Sequence, residues 1–148
     1  MLYGLPDTQL NKYQAAMNAG ARLIFGARGR EHISHLLKQF HWLRMRQRIQ
    51  FKIACLTWRC LNGSGPDYLV ADLQRTGTSI RRRGLRSESS HDLIPPRVHN
   101  KSHGERAWPS AAPSVWNSLT PASLKTESNY LTFRKGVKSC LWTQSYSG

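Results

Sequence analysis

The sequence has few acidic residues, because Asp and Glu total only 8 among 148 positions. These carboxylates are dispersed along the chain, and no two are adjacent as a pair that could hold two catalytic magnesium ions. We therefore expect no two-metal phosphoryl-transfer chemistry from this chain.

Signatures of other catalytic and metal sites are also missing. The chain has no Gly-x-Ser-x-Gly turn and no phosphate-binding loop with Gly-Lys-Ser or Gly-Lys-Thr. Cys55, Cys60 and Cys140 lack metal-site spacing, and their odd number fits free thiols in a reducing compartment. His99 and His103 stand four residues apart without a further ligand nearby. We expect no catalytic residue, no metal, no other cofactor and no small-molecule substrate.

Long apolar runs are absent as well. No run approaches the roughly 18 residues that a membrane-spanning helix needs. The first six residues, Met-Leu-Tyr-Gly-Leu-Pro, lack the basic and apolar regions of a signal peptide. We expect an intracellular protein, nuclear or cytoplasmic, with no membrane partner.

Basic residues, by contrast, are abundant. Lys and Arg total 22, which gives a formal net charge of +14. Such an excess points to a polyanionic partner, and the backbone of RNA or DNA, bound without sequence preference, is the first candidate. A solvated basic surface of the ribosomal-protein kind and an anionic membrane surface are the alternatives that charge alone leaves open.

Apolar residues recur every three or four positions over much of the chain, which predicts a mainly α fold. The first helix is expected to begin near Asp7 or Thr8 and to end before Gly26. Further helices are predicted at residues 31–39, 44–62, 65–73, 107–119 and 128–142.

The predicted helix at residues 44–62 has two distinct faces when its side chains are placed at 100° per residue. The apolar arc, predicted to face the core, contains Met45, Ile49, Ile53, Leu56 and Cys60.

A basic stripe runs along another side of that helix, and aromatic residues flank it. Cations beside aromatic rings can hold a phosphate backbone and stack bases, although such a stripe is more often a solvated face. The candidate nucleic-acid-binding residues of the stripe are Arg44, Arg48, Lys52 and Arg59, and the candidate base-stacking residues are Phe51 and Trp58.

Residues 74–103 are rich in Arg, Ser, Gly, Pro and His, which predicts a long basic loop or linker. Four arginines in it, Arg81, Arg82, Arg83 and Arg86, join the candidate nucleic-acid-binding residues. This composition divides the chain into a small helical unit at 1–73, the loop at 74–103 and C-terminal helices at 104–148.

Several motifs of the chain occur together in one known family. His41-Trp42-Leu43 is followed by a basic segment at residues 46–53 and by Gly65-Pro66-Asp67-Tyr68-Leu69. Residues 104–119 have the sequence Gly-Glu-Arg-Ala-Trp-Pro-Ser-Ala-Ala-Pro-Ser-Val-Trp-Asn-Ser-Leu. With residues 14–24, these stretches resemble the C-terminal part of LINE-type, jockey-like reverse transcriptases of non-LTR retrotransposons.

The resemblance implies descent from an RNA-directed DNA polymerase. The family's Tyr/Phe-Ala-Asp-Asp carboxylate motif has no counterpart here, so the chain is expected to begin after the palm and to carry none of the family's catalytic residues. What remains is a thumb-like region that could hold a template–primer duplex through phosphate contacts. On its own the chain is then not an enzyme.

Two other functions stay open. The chain could be a co-opted host protein that serves as a helical interaction or nucleic-acid-binding module, or a translated remnant without function. Cooperative unfolding of the purified protein would favour co-option over a remnant.

Overall fold

The computed structural model describes residues 2–27, 32–73, 91–97 and 104–146. Helices make up 70% of these residues, and no strand occurs among them, which confirms the predicted mainly α class. The α-helices are α1 (Asp7–Phe25), α2 (Ile33–Gln39), α3 (Met45–Leu61), α4 (Asp67–Val70), α5 (Trp108–Leu119), α6 (Ala122–Lys125) and α7 (Tyr130–Tyr146), with a 3-10 turn at Gly104–Arg106.

Three of these helices are followed within two residues by a residue of positive φ. Gly26 follows α1 and Gly63 lies just beyond α3, with φ of 61° and 72°, where the absence of a Cβ removes the steric cost. α2 ends in the same way, but the left-handed position is occupied by His41, with φ of 51°. The next backbone N–H, of Trp42, donates to the carbonyl of Leu37 at 2.9 Å and closes the helix end. This turn fixes how the chain passes from α2 into α3.

The main core lies where α3 packs against α5 and α7. The ring of Phe133 is fully buried and stacks on Trp58 and Trp116, with centroids 5.8 Å away in each case. We call the buried residues of this cluster the central core: Leu43, Ile53, Ala54, Cys55, Trp58, Cys60, Leu93, Trp108, Ala111, Ala112, Val115, Trp116, Phe133, Val137 and Leu141. Its members come from residues 1–73 and 104–148 alike, so these two predicted regions do not have separate cores.

The buried side of α3 differs from the predicted apolar arc. Ile53 and Cys60 are buried as expected, but Met45, Ile49 and Leu56 are only partly buried. The fully covered residues of α3 also include Thr57, whose hydroxyl donates to the carbonyl of Ile53 at 2.9 Å. Because α3 packs against α5 and α7 together, its buried surface is wider than one apolar arc, and a hydroxyl satisfied within the helix is accepted there.

Residues 91–97, part of the predicted loop, are fastened to α5. Leu93 is 1% exposed. The side chain of Asn117 accepts from the backbone N–H of Leu93 at 2.9 Å and donates to its carbonyl at 2.8 Å. The indole N–H of Trp116 donates to the carbonyl of His91 at 3.0 Å. The Trp-Asn pair of the 104–119 motif therefore supplies hydrogen-bond partners to backbone groups of a non-helical segment.

A second, smaller cluster lies where α1 and α2 meet the end of α7. Its buried members are Ala21, Leu37 and Tyr146, and we call it the edge cluster. α1 nevertheless leaves Tyr13, Leu23 and Ile24 exposed. α7 extends one turn beyond the predicted end at residue 142, and this extra turn brings Tyr146 into the edge cluster.

Candidate nucleic-acid interface

The four cations of the predicted stripe on α3 are all exposed in the structure. Arg44 and Arg59 are fifteen positions apart, which corresponds to about 22 Å along a helix axis at about 1.5 Å per residue. A stripe of that length matches roughly six nucleotides of a duplex strand, at about 3.4 Å per nucleotide.

Three of these cations lie over aromatic rings. The guanidinium carbon of Arg59 is 5.1 Å from the ring centroid of Tyr130, at the start of α7. That of Arg44 is 5.3 Å from the ring of Tyr146, at the end of α7, so α7 runs antiparallel beside α3. Such contacts restrict where a long side chain can lie and hold its charge in place.

The connection between α2 and α3 adds to the same surface. The guanidinium of Arg48 lies 5.8 Å from the ring of Trp42. Lys38, at the end of α2, lies 5.5 Å from the ring of Tyr146, so that ring contacts both Lys38 and Arg44. We call this surface the basic aromatic face. It consists of the cations Lys38, Arg44, Arg48, Lys52 and Arg59 and the rings of Trp42, Tyr130 and Tyr146.

Tyr146 joins the parts of this face. Its hydroxyl donates to the carbonyl of Trp42 at 2.7 Å, across 104 positions of sequence. Burial raises the pKa of Tyr146, while the charge and hydrogen bond of Arg44 act in the opposite direction. The phenol therefore stays neutral at ordinary pH and remains a hydrogen-bond donor.

No carboxylate within the described ranges forms an ion pair with the basic aromatic face. The two ion pairs seen in this part of the chain are elsewhere, between Arg46 and Asp7 and between Lys125 and Asp92. Arg46 projects from a different side of α3 than the stripe. The cations of the basic aromatic face are therefore available to form ion pairs with a binding partner.

The assignment of Trp58 to base stacking is wrong. This side chain is 6% exposed and belongs to the central core. Its indole N–H donates to the carbonyl of Glu127 at 2.9 Å, and its ring packs on Tyr130 and Phe133. Trp58 is buried because α7 packs against this side of α3. Phe51 is half-buried against the central core, and its role in base stacking stays a prediction.

The predicted loop arginines Arg81, Arg82, Arg83 and Arg86 lie outside the residues that the structure describes. Their part in binding stays a prediction.

Two of the three cysteines, Cys55 and Cys60, are buried free thiols. Burial raises the pKa of Cys55, against smaller opposing effects from Tyr130, Arg134 and Arg59. Burial also raises the pKa of Cys60. Within the described ranges, no group of three His, Cys, Asp or Glu side chains could hold a metal ion. No helix there has the length and apolar character to cross a membrane.

Sequence reasoning missed Lys38 and Tyr146. Neither stands near the stripe in sequence, and only the packing of α2 and α7 brings them to it. No spacing within one helix could have found them.

The chain matches no protein-family model, and no curated protein or solved structure is significantly similar to it.

Proposed function

We propose that this protein binds RNA or DNA without sequence preference through phosphate contacts on the basic aromatic face. The observation that carries the proposal is the set of five exposed cations without a carboxylate partner among the described residues. The motifs that resemble LINE-type reverse transcriptases support a more specific proposal, that the chain is a thumb-like C-terminal fragment of such an RNA-directed DNA polymerase.

Phosphate binding follows from the chemistry of the side chains. A guanidinium can donate two parallel hydrogen bonds to phosphate oxygens, which an ammonium group cannot do as rigidly. Arg44, Arg48 and Arg59 already lie against rings, so binding orders less side-chain freedom. Each phosphate that a cation neutralises also releases condensed counterions, which drives association at low salt.

The test is a salt titration of fluorescence anisotropy with labelled duplex DNA and labelled single-stranded RNA. If about five cations engage phosphates, log affinity for duplex DNA should fall with log salt with a slope of roughly −4 to −5. Changing the base sequence should leave the affinity nearly unchanged. Binding to vesicles of anionic lipid with no binding to either nucleic acid would contradict the proposal.

The loop arginines can be tested in the same assay. Replacing Arg81, Arg82 and Arg83 with Ala should flatten the duplex slope by about 2 to 3 if these residues contact phosphates. An unchanged slope would remove the loop from the interface and leave the helical face alone.

As a fragment without the family's carboxylate motif, the chain should not extend a primer. Magnesium- or manganese-dependent nucleotide incorporation above a boiled control would contradict this expectation.

A second candidate function is a helical protein-interaction module in a co-opted host protein. The exposed apolar side chains of Tyr13, Leu23 and Ile24 on α1 favour it, since apolar surface of this kind often marks a contact. A Leu23→Lys variant should then remain folded and lose self-association or partner capture. A chain that does not unfold cooperatively would favour the remnant instead.

A further inference from the structure

A pocket of about 350 Å³ adjoins the basic aromatic face at the end of the α2–α3 connection. It is lined by His41, Lys135, Lys138, Ser139 and Trp142. This volume falls in the range of small-molecule pockets, about 300–1,000 Å³. The pocket lies beside the cations of the basic aromatic face, so an anionic ligand is favoured there.

The floor of the pocket is aromatic. The rings of His41 and Trp142 have centroids 5.3 Å apart at an interplanar angle of 42°. The indole nitrogen of Trp142 is buried and has no hydrogen-bond partner among the described residues. The indole N–H is therefore not offered to a ligand, so Trp142 can contribute stacking rather than a hydrogen bond.

The rim of the pocket is cationic. Lys135 and Lys138 precede Trp142 on α7 by seven and four residues, so all three share one side of the helix, and both lysines are exposed. Among the residues that the structure describes, no acidic side chain lines the pocket. Aromatic ring surface and exposed lysines together match one nucleotide, with a base on the Trp142 ring and its phosphates at the lysines.

His41, which lines the pocket, has a left-handed backbone conformation. Its φ of 51° occupies the conformation that glycine holds at the ends of α1 and α3. A side chain there costs roughly 1 kcal/mol relative to glycine. In this conformation the imidazole lies against the Trp142 ring, with the two centroids 5.3 Å apart.

Tyr146 connects the pocket with the phosphate-binding surface. Its ring lies 5.5 Å from that of Trp142 and also contacts Arg44 and Lys38. A strand whose phosphates follow the basic aromatic face can therefore pass directly to the pocket.

We infer that the pocket is a base-stacking subsite for single-stranded nucleic acid, in which Trp142 and His41 contact a base and Lys135 and Lys138 contact its phosphates. This inference rests on the proposed function, since it extends the same interface. A paired base inside a duplex cannot enter, so the subsite distinguishes single strands from duplexes.

The experiment compares a single-stranded oligonucleotide with an abasic strand of equal length and charge, by fluorescence anisotropy at matched salt. The parent should bind the strand with bases at least roughly fivefold more tightly, as one stacked base provides. Trp142→Leu should abolish that preference and leave affinity for the abasic strand unchanged, while Trp142→Phe should keep part of it.

His41→Gly supplies a test that does not depend on the folding of a Trp142 variant. Glycine fits the left-handed backbone, so the melting temperature should stay equal or rise, while the preference for bases should fall. A parent-like preference in this variant would overturn the subsite.

The base-stacking subsite and the phosphate-binding face are contradicted by different results. Equal affinity of the parent for both strands, with a steep salt dependence, overturns the subsite and leaves phosphate binding standing. Absence of binding to either strand at low salt overturns both.

Discussion

The central core and the edge cluster show two ways in which the same chain is held together. The central core joins α3, α5 and α7 through large rings that are fully covered, such as Trp116 and Phe133. The edge cluster buries few side chains, and α1 beside it leaves Leu23 85% exposed and Ile24 65% exposed. The basic aromatic face spans both regions. Its Arg59 end lies over the central core, whereas its Arg44 end depends on the edge cluster.

The difference predicts where stability resides. The central core should unfold last. α1 and α2 should open locally at a lower free energy, because their separation exposes little buried apolar surface. The end of the face with Lys38 and Arg44 should therefore be the more adaptable part of the interface.

The largest contrast is expected from two phenylalanines. Phe133→Ala removes a fully buried ring between two indoles and should lower the free energy of unfolding by about 3–5 kcal/mol. Phe40→Ala removes a ring that is 43% exposed and packs on Phe25, and should cost about 1 kcal/mol or less. Chemical denaturation of both variants measures the contrast. Equal losses would refute the division into two regions.

Two asparagines give the next contrast. Asn117→Ala leaves the N–H and the carbonyl of Leu93 without their partner and should cost about 2–3 kcal/mol. Amide exchange at Leu93 should accelerate as well. Asn18→Ala removes an acceptor of Gln14 on α1 and should change stability by less than about 0.5 kcal/mol. An unchanged free energy of unfolding in Asn117→Ala would mean that residues 91–97 are held by other contacts.

Two glycines should respond with opposite signs. A Cβ at Gly65 would lie 2.5 Å from Sγ and 2.7 Å from Cα of Cys60, so Gly65→Ala forces backbone to move and should cost about 1–3 kcal/mol. A Cβ at Gly20 meets nothing within 4 Å, so Gly20→Ala should stabilise α1 by about 0.5–1 kcal/mol. Melting temperatures of the pair decide it, and a fall in both would contradict the open space around Gly20.

The smallest effect concerns pH. Burial raises the pKa of Cys55 and Cys60 above their ordinary value of 9.0, so the folded state holds these protons more tightly than the unfolded chain. Their contribution to stability is complete below that value and is lost as the pH rises through the folded pKa. A Cys55→Ala, Cys60→Ala variant should show a smaller decline in stability above pH 9 than a Cys140→Ala control, in pH-dependent denaturation. Identical declines would contradict the assignment.

The sequence predicted most helices because periodicity and helix ends are local signals. Gly26 follows α1 at the position where the sequence predicts the end of the first helix. Only part of the buried side of α3 was predicted, because its full extent depends on two helices that follow much later in the chain.

The exposed cations of the candidate site could be predicted from the sequence, but the aromatic rings that contact them could not. Arg44, Arg48, Lys52 and Arg59 are exposed, as solvated charges on a helix should be. Trp58 was assigned to the surface because it lies outside the apolar arc, yet a ring of this size is covered wherever a neighbouring helix is available. The aromatic partners of the arginines come from elsewhere in the chain, which spacing within one helix does not reveal.

The most direct test of the account is a comparison of two double variants that remove the same charge. Arg44→Ala with Arg48→Ala removes two cations of the basic aromatic face, and Lys12→Ala with Arg97→Ala removes two exposed cations outside it. In salt titrations with duplex DNA, the first should flatten the slope by about 2, since each phosphate contact contributes about 0.9, and the second should leave it unchanged. Equal changes for the two variants would show that net charge alone drives binding and would contradict a defined interface.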